Sequence, residues 1–98
     1  MYARIHTHGD ERILAACDEE LLGKTFRGNG AKITVSEIFY RGETDPITPE
    51  AFVERMKSVT IMNLVGDEVI RLAMEAGHVH EDNIIEIGGV KHAQVVIM

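Results

Sequence analysis

A chain of 98 residues, 45% hydrophobic and 27% charged, is large enough for one hydrophobic core and too short for two ordinary domains. Its formal net charge of −6 at pH 7 argues against broad, non-specific binding of DNA or RNA. No apolar run reaches the roughly 18 residues of a membrane span, and the first residues lack the apolar core of a signal peptide. We therefore expect one cytoplasmic domain, residues 1–98, with no membrane partner.

The N-terminal part of the chain predicts a β-hairpin followed by a very short helix. Residues 2–7 alternate in polarity and residues 13–17 form a second apolar run, with a polar turn between them. Asp18 then stands where a helix N-cap belongs, and Gly23 suits a left-handed stop. This pattern predicts a helix over 18–23.

The middle of the chain predicts a strand and two helices. Glycine on both sides of Asn29 indicates a turn at 27–30, and apolar spacing predicts a strand over 32–40. A threonine cap followed by proline at the first helical position predicts a helix over 49–59. A second helix, with one apolar stripe, is expected over 66–76.

The segment between these helices, residues 60–66, is open to two interpretations. No proline prevents one continuous helix over 49–76, but Asn63 and Gly66 are unfavourable inside a helix and suit a hinge. We expect a break between two helices.

The C-terminal residues predict a second β-hairpin. Two adjacent glycines connect apolar runs at 84–87 and 90–98, which is a strong hairpin signal. A two-residue loop would place Glu86 opposite Lys91, and the opposite charges support that register. Residues 95–98 are apolar on both faces, so we expect the last strand to be central in its sheet.

Together these elements predict one α+β domain. Its sheet is mixed, mostly antiparallel and of about five strands, and its two main helices cover one face. The first strand would lie at an edge, where it could pair two copies of the chain into a homodimer.

Four short motifs, in a fixed order, extend over nearly the whole chain. They are Cys17-Asp18-x-x-Leu21-Leu22-Gly23-Lys24, Phe39-Tyr40-x-Gly42, Asn63-Leu64-Val65-Gly66-Asp67-Glu68 and Gly89-Val90-x-His92-Ala93-Gln94. Together they resemble an archaeal family designated domain of unknown function 424. The resemblance implies a small archaeal cytoplasmic protein, and it brings no established activity and no catalytic residues.

The first candidate site is a thiol site at Cys17. As the single cysteine it cannot form an internal disulfide. At a helix start its thiolate would be favoured, and His92 could act as a base with Asn63 as its orienting partner. The alternative is a buried, unreactive cysteine, and the neighbouring carboxylates would raise its pKa. A small thiol- or metal-dependent enzyme is therefore the alternative function, and no catalytic residue is predicted.

Two histidine pairs are candidate metal ligands. His6 and His8, and likewise His78 and His80, are two residues apart, a spacing that puts both rings on one face of a strand. With Cys17 or His92 as a further ligand they would suit zinc, but the spacing lacks the closed ligand pattern of a structural zinc site. We expect surface histidines and no cofactor.

A basic segment is the candidate partner-binding surface. Lys24, Arg27 and Lys32 surround a turn at Asn29, as contact with RNA phosphates would require, although a solvated loop has the same composition. Gln94 is a further polar residue without an evident role in folding. We therefore expect a non-enzymatic binding or adapter module, with a protein or structured RNA as partner, for example in a translation or RNA-processing assembly.

Overall fold

The computed structural model describes residues 1–97, which have an α+β fold. The strands are β1 Tyr2–His8, β2 Glu11–Cys17, β3 Thr25–Gly28, β4 Ala31–Thr34, β5 Ile61–Val65, β6 Ile84–Ile87 and β7 Val90–Val96. The α-helices are α1 Pro49–Met56 and α2 Asp67–Glu75. Short helical turns are the 3-10 turns Glu19–Leu21 and Glu81–Asn83 and the π-helical turn Glu37–Arg41. No helix within residues 1–97 is long and apolar enough to cross a membrane.

The main sheet has five strands in the order β1-β2-β5-β7-β6. β2 and β5 are parallel, and the other neighbours are antiparallel. A parallel pair needs a long crossover, which the chain between β2 and β5 supplies by forming β3, β4 and α1 on the way. The predicted mixed, mostly antiparallel sheet is confirmed. β3 and β4 form a separate two-stranded sheet.

Both α-helices cover one face of the main sheet, as predicted. α1 begins at Thr48, whose hydroxyl accepts a hydrogen bond from the amide of Ala51 at 3.1 Å, with proline at the first helical position. The core between helices and sheet is formed by the buried residues Ala3, Leu14, Ala16, Phe52, Met56, Val59, Met62, Leu64, Val69, Ile70, Leu72, Ala73, Val79 and Ala93.

The opposite face of the sheet is covered over only part of its area. Phe26 and Ile33, a cross-strand pair of the β3–β4 hairpin, pack with Phe39 on a second core. This second core consists of Tyr2, Ala15, Cys17, Val35, Tyr40 and Val65. The hairpin and the π-helical turn therefore cover one half of this face.

The other half of that face lies outside the second core. The residues Ile13, Ile61 and Val96 pair in one row across β2, β5 and β7, and Asn63 pairs with Gln94 in the next row. All five share a face because paired residues point to the same side of a sheet. His92 and Ile85, which pair with each other, lie on the same side one row further along, and we call these seven residues the open sheet face.

β5 is the largest difference between the predicted and the observed elements. The predicted break between two helices is confirmed, since α1 and α2 are separate, but residues 60–66 are not a hinge, because Ile61–Val65 forms the middle strand of the sheet. α1 ends at Met56, three residues earlier than predicted. Both faces of β5 carry apolar residues, so its sequence lacks the alternation of a half-buried strand. Such a short apolar run is equally compatible with a helix.

The predicted strand over 32–40 is also partly wrong. β4 ends at Thr34, and the π-helical turn follows. The hydroxyl of Ser36 accepts from the amide of Phe39 at 3.3 Å, and the amide of Gly42 donates to the carbonyl of Glu37 at 2.7 Å. These local bonds close the turn and bring Tyr40 into the second core.

The predicted C-terminal hairpin is confirmed, including its register. Gly88 and Gly89 form the two-residue loop, and Glu86 pairs with Lys91. β7 lies between β5 and β6, so its predicted central position is confirmed for the described residues. Residue 98, which the prediction included in this strand, lies outside them.

Two glycines without side chains allow the β3–β4 hairpin to lie close against the β6–β7 loop. A Cβ atom on Gly28 would lie 2.7 Å from the backbone nitrogen of Gly88, and one on Gly88 would lie 2.7 Å from the carbonyl oxygen of Arg27. Neither position can accept a side chain without moving the backbone. The hairpin is thereby positioned beside the edge strand β6.

Candidate functional site

Asp18 has a different role from the one predicted. It does not cap a helix of its own, since only a 3-10 turn follows it and its side chain makes no capping bond there. Its carboxylate instead accepts hydrogen bonds from the amides of Glu68 and Val69, both at 3.0 Å, at the start of α2. Burial raises the pKa of Asp18, and these two hydrogen bonds oppose that rise. Asp18 therefore caps the N-terminus of α2 from 50 residues away in the chain, where the N-cap residue itself, Gly66, has no side chain to do so.

Cys17 lies in the second core and is fully buried. Burial, followed by the charge of Asp18, raises the pKa of its thiol to about 12. A thiol with this pKa is almost entirely protonated at neutral pH, and the thiolate is the nucleophilic form. The environment of Cys17 is that of a structural cysteine.

We expect Cys17 to be unreactive while the protein is folded. An aromatic disulfide reagent added at pH 8 should modify the native protein at least about a hundredfold more slowly than the urea-unfolded chain, because burial and protonation both protect the thiol. Time-resolved absorbance of the released thiolate measures both rates. Rapid modification of the folded chain would mean that the second core opens readily and that a thiol site remains available.

The structure brings Cys17, Asn63 and His92 to the same face of the sheet but not into contact as a catalytic group. Val65 pairs with Cys17 on one side and with His92 on the other, so it lies between them. Two strand spacings separate the Cα atoms of Cys17 and His92 by about 10 Å.

His92 and Asn63 are each held by one hydrogen bond. Nδ1 of His92 donates to the carbonyl oxygen of Leu64 at 3.0 Å, which orients the ring and leaves Nε2 for a ligand. The hydroxyl of Tyr40 donates to Oδ1 of Asn63 at 2.6 Å, which leaves the amide N–H groups of Asn63 as donors. Both side chains are oriented, and both keep hydrogen-bonding capacity for a ligand.

Tyr40 is a site residue that sequence reasoning did not identify. It is 3% exposed, and burial, with a smaller contribution from Cys17, raises its pKa to about 12. Its hydroxyl therefore stays protonated and donates to Asn63. The aromatic pair Phe39-Tyr40 in the second motif was the available signal, but only the π-helical turn shows that Tyr40 reaches β5.

The open sheet face places polar groups among exposed aliphatic side chains. Gln94 is exposed and pairs with Asn63, and His92 follows one row further along β7. Val96 is 64% exposed, and Ile85, which pairs with His92 on the edge strand β6, is 53% exposed. This surface offers hydrogen-bond donors, acceptors and apolar contacts, with no ionised carboxylate among these residues.

The predicted basic residues lie on the β3–β4 hairpin. Asn29 and Gly30 form its two-residue loop, with φ angles of 53° and 77°, so the asparagine itself takes the left-handed conformation. Arg27 and Lys32 are exposed and pair directly across the two strands. Within residues 1–97, no carboxylate lies within 4.0 Å of either cation or of Lys24.

The histidine pairs have separate environments. Nε2 of His6 donates to the carbonyl oxygen of Phe39 at 2.8 Å, and the two rings stack with centroids 4.7 Å apart, while His8 is exposed at the end of β1. His80 caps the last 3-10 turn, and His78 precedes it without being part of a strand. Among residues 1–97, no group of three or more histidine, cysteine or acidic side chains is arranged to hold a metal ion.

The edge strand β1, predicted as a site of homodimer formation, is partly occupied by the protein itself. The carbonyl oxygen of Met1 accepts from the amide of Ile47 at 2.9 Å, and that of Ala3 accepts from Arg55 at 3.0 Å. These contacts shorten the free edge to the end near Thr7.

Fold and site together define a class: a small α+β domain with one sheet face covered by helices and the other partly open beside a basic hairpin. The chain belongs to the family described as a protein of unknown function (DUF424), whose model matches residues 6–98. It is also similar to a solved structure, that of an uncharacterized conserved protein from Methanopyrus kandleri. The two are 30% identical with a TM-score of 0.80, and the match covers 99% of this chain and 92% of that one. A comparison with curated proteins found no match.

Proposed function

We propose that the protein is a non-enzymatic binding module for RNA, with the β3–β4 hairpin contacting phosphates and the open sheet face contacting bases. The observation that carries the proposal is the pairing of Arg27 with Lys32. Like charges directly opposite each other destabilise a hairpin, and no carboxylate within residues 1–97 compensates them. An anionic ligand would remove that cost.

The overall acidity of the chain restricts the kind of RNA binding. A net charge of −6 repels a polyanion from most of the surface, so contact is confined to the hairpin. Three cations, Lys24, Arg27 and Lys32, allow about three phosphate contacts. Affinity must then depend on further, uncharged contacts next to the hairpin.

The open sheet face supports those uncharged contacts. The amide groups of Asn63 and Gln94 and the free Nε2 of His92 match the hydrogen-bonding edges of unpaired bases. Exposed aliphatic side chains such as Val96 provide apolar surface for the bases. Because paired bases hide these edges, the favoured ligand is a single-stranded loop or end of a structured RNA.

Charge reversal on the hairpin tests the proposal. We expect the variant Arg27→Glu/Lys32→Glu to bind a hairpin RNA with an eight-nucleotide loop at least about tenfold more weakly than the wild type at low salt. The dependence of log K on log salt concentration should become shallower by about 2, because two phosphate contacts are lost. Fluorescence anisotropy with a labelled RNA measures both quantities.

The matched control is Lys57→Glu/Arg71→Glu, which makes the same change of charge on the helix side of the protein. Both residues are exposed and already have carboxylate partners, Glu54 for Lys57, and Glu68 and Glu75 for Arg71. We expect this variant to lose much less affinity than the hairpin variant. No RNA binding by the wild type in low salt, or equal losses in the two variants, would refute the proposal.

A further inference from the structure

A cleft of about 730 Å³ lies at the β1 edge of the main sheet. Its volume is within the roughly 300–1,000 Å³ of small-molecule sites. It is formed where β1, α1 and the π-helical turn meet. The lining residues are Ala3, Arg4, Ile5, Glu37, Ile38, Gly42, Glu43, Thr44 and Arg55.

Two guanidinium groups of this cleft are held by backbone carbonyls and not by acids. Nη1 of Arg55 donates to the carbonyl oxygen of Ala3 at 3.0 Å, and Nη1 of Arg4 donates to that of Ile38. No carboxylate of residues 1–97 lies within 4.0 Å of either guanidinium. Each arginine is thus fixed by one donor and keeps others for a ligand.

The cleft also contains two carboxylates, and they come from a different part of the chain. Glu37 begins the π-helical turn and Glu43 follows it, whereas Arg4 and Arg55 belong to β1 and α1. The four charges balance to zero without forming an ion pair within 4.0 Å. A ligand with one anionic and one cationic end could pair with the two arginines at one end and with the two glutamates at the other.

Apolar side chains complete the lining. Ala3 is fully buried, so the accessible apolar groups are Ile38, which is 77% exposed, and the partly buried Ile5 on the β1 side. They would contact the uncharged part of a ligand.

We propose that this cleft binds the zwitterionic backbone of an amino acid or short peptide with an apolar side chain. The arginines bind the carboxylate, Glu37 and Glu43 bind the ammonium group, and Ile5 and Ile38 contact the side chain. Arginine suits carboxylate binding because its planar guanidinium group can donate two parallel hydrogen bonds to the two carboxylate oxygens. The proposal does not depend on RNA binding, since the cleft and the basic hairpin share no residue.

Ligands that lack one charge test the proposal directly. The probes are L-leucine, N-acetyl-L-leucine without the cation, L-leucinamide without the anion, and the tripeptide leucyl-glycyl-glycine. We expect L-leucine or the tripeptide to shift the amide resonances of Ile5, Gly42 and Thr44 in ¹H–¹⁵N spectra. The two blocked derivatives should bind at least about tenfold more weakly, because each leaves one pair of charged groups unsatisfied.

The two unblocked probes distinguish the source of the ligand. Tighter binding of L-leucine indicates a free amino acid, and tighter binding of the tripeptide indicates the end of a peptide. The proposal is overturned if neither shifts these resonances, or if the blocked derivatives bind as well as the unblocked ones.

Single substitutions in the lining of the cleft provide a second test, and the variant at an exposed position keeps it independent of folding. Glu43 is exposed, so Glu43→Gln should fold normally and weaken binding by about tenfold. Arg55→Gln should have a similar effect, but it also removes the bond to Ala3 and needs a check of stability. Glu54→Gln, on the exposed side of α1, is the matched control and should bind like the wild type. An unchanged affinity in Glu43→Gln would contradict the assignment of the ammonium site.

Discussion

Replacing Gly66 by alanine is expected to destabilise the protein by about 3 kcal/mol. Gly66 precedes α2 with a φ angle of 119°, which side-chain-bearing residues rarely adopt. An added Cβ would also lie 2.5 Å from Oδ2 of Asp18 and would push that carboxylate away from the amides it caps. Urea denaturation followed by circular dichroism measures the change in the free energy of unfolding.

Gly77→Ala is the matched control for this prediction. Gly77 also has a positive φ angle, 82°, but a Cβ there would meet no atom within 4 Å. It should therefore cost only about 1 kcal/mol of backbone strain. The excess cost at Gly66 combines the contact with Asp18 and the greater backbone strain at φ 119° and ψ 156°, a region essentially restricted to glycine, and equal costs in the two variants would contradict both contributions.

A double-mutant cycle separates the two parts of the Gly66 effect. Asp18→Ala removes the cap and the carboxylate that a Cβ at position 66 would meet, so Gly66→Ala should cost much less in that background. If the free-energy costs of the two single substitutions simply add in the double variant, the strain at Gly66 acts independently of Asp18.

Alkaline pH is expected to destabilise the protein through Cys17. The pKa of this thiol is 9.0 without the fold and about 12 in it, so the unfolded chain loses its proton first as the pH rises. Stability from this group is therefore intact below pH 9 and declines above it. By pH 11 the loss reaches about 3 kcal/mol, at about 1.4 kcal/mol for each pH unit.

Cys17→Ala identifies the source of this loss. Tyr40, whose pKa also rises to about 12, contributes a further decline above pH 10 in both proteins. Urea denaturation at pH 8 and pH 11 should therefore show a smaller decline in the variant than in the wild type, by about 3 kcal/mol. An equal decline would show that Cys17 ionises normally in the folded state.

Features set by neighbouring residues were predictable from the sequence. The glycine pair and the opposite charges of Glu86 and Lys91 predicted the C-terminal hairpin and its register, because loop length and strand alternation determine pairing locally. The threonine before α1 and the proline at its first position predicted the start of this helix for the same reason.

Features that depend on burial were not predictable in this way. β5 was missed because it carries apolar residues on both faces, so its sequence has no alternation to reveal a strand. The π-helical turn was missed because its apolar residues fit a strand pattern, while the bonds that close it involve Ser36, Glu37 and Gly42.

For the proposed binding surface, the sequence alone supplied the candidate residues: the cations of the hairpin, and Asn63, His92 and Gln94 as polar residues within apolar segments. Only the tertiary structure decided how they are arranged. It placed Asn63 and Gln94 side by side, supplied Tyr40 to orient Asn63, and carried Asp18 to the start of α2. The physical reason is that composition and local spacing act over a few residues, whereas these contacts join groups 23 to 51 residues apart and form only when the sheet assembles.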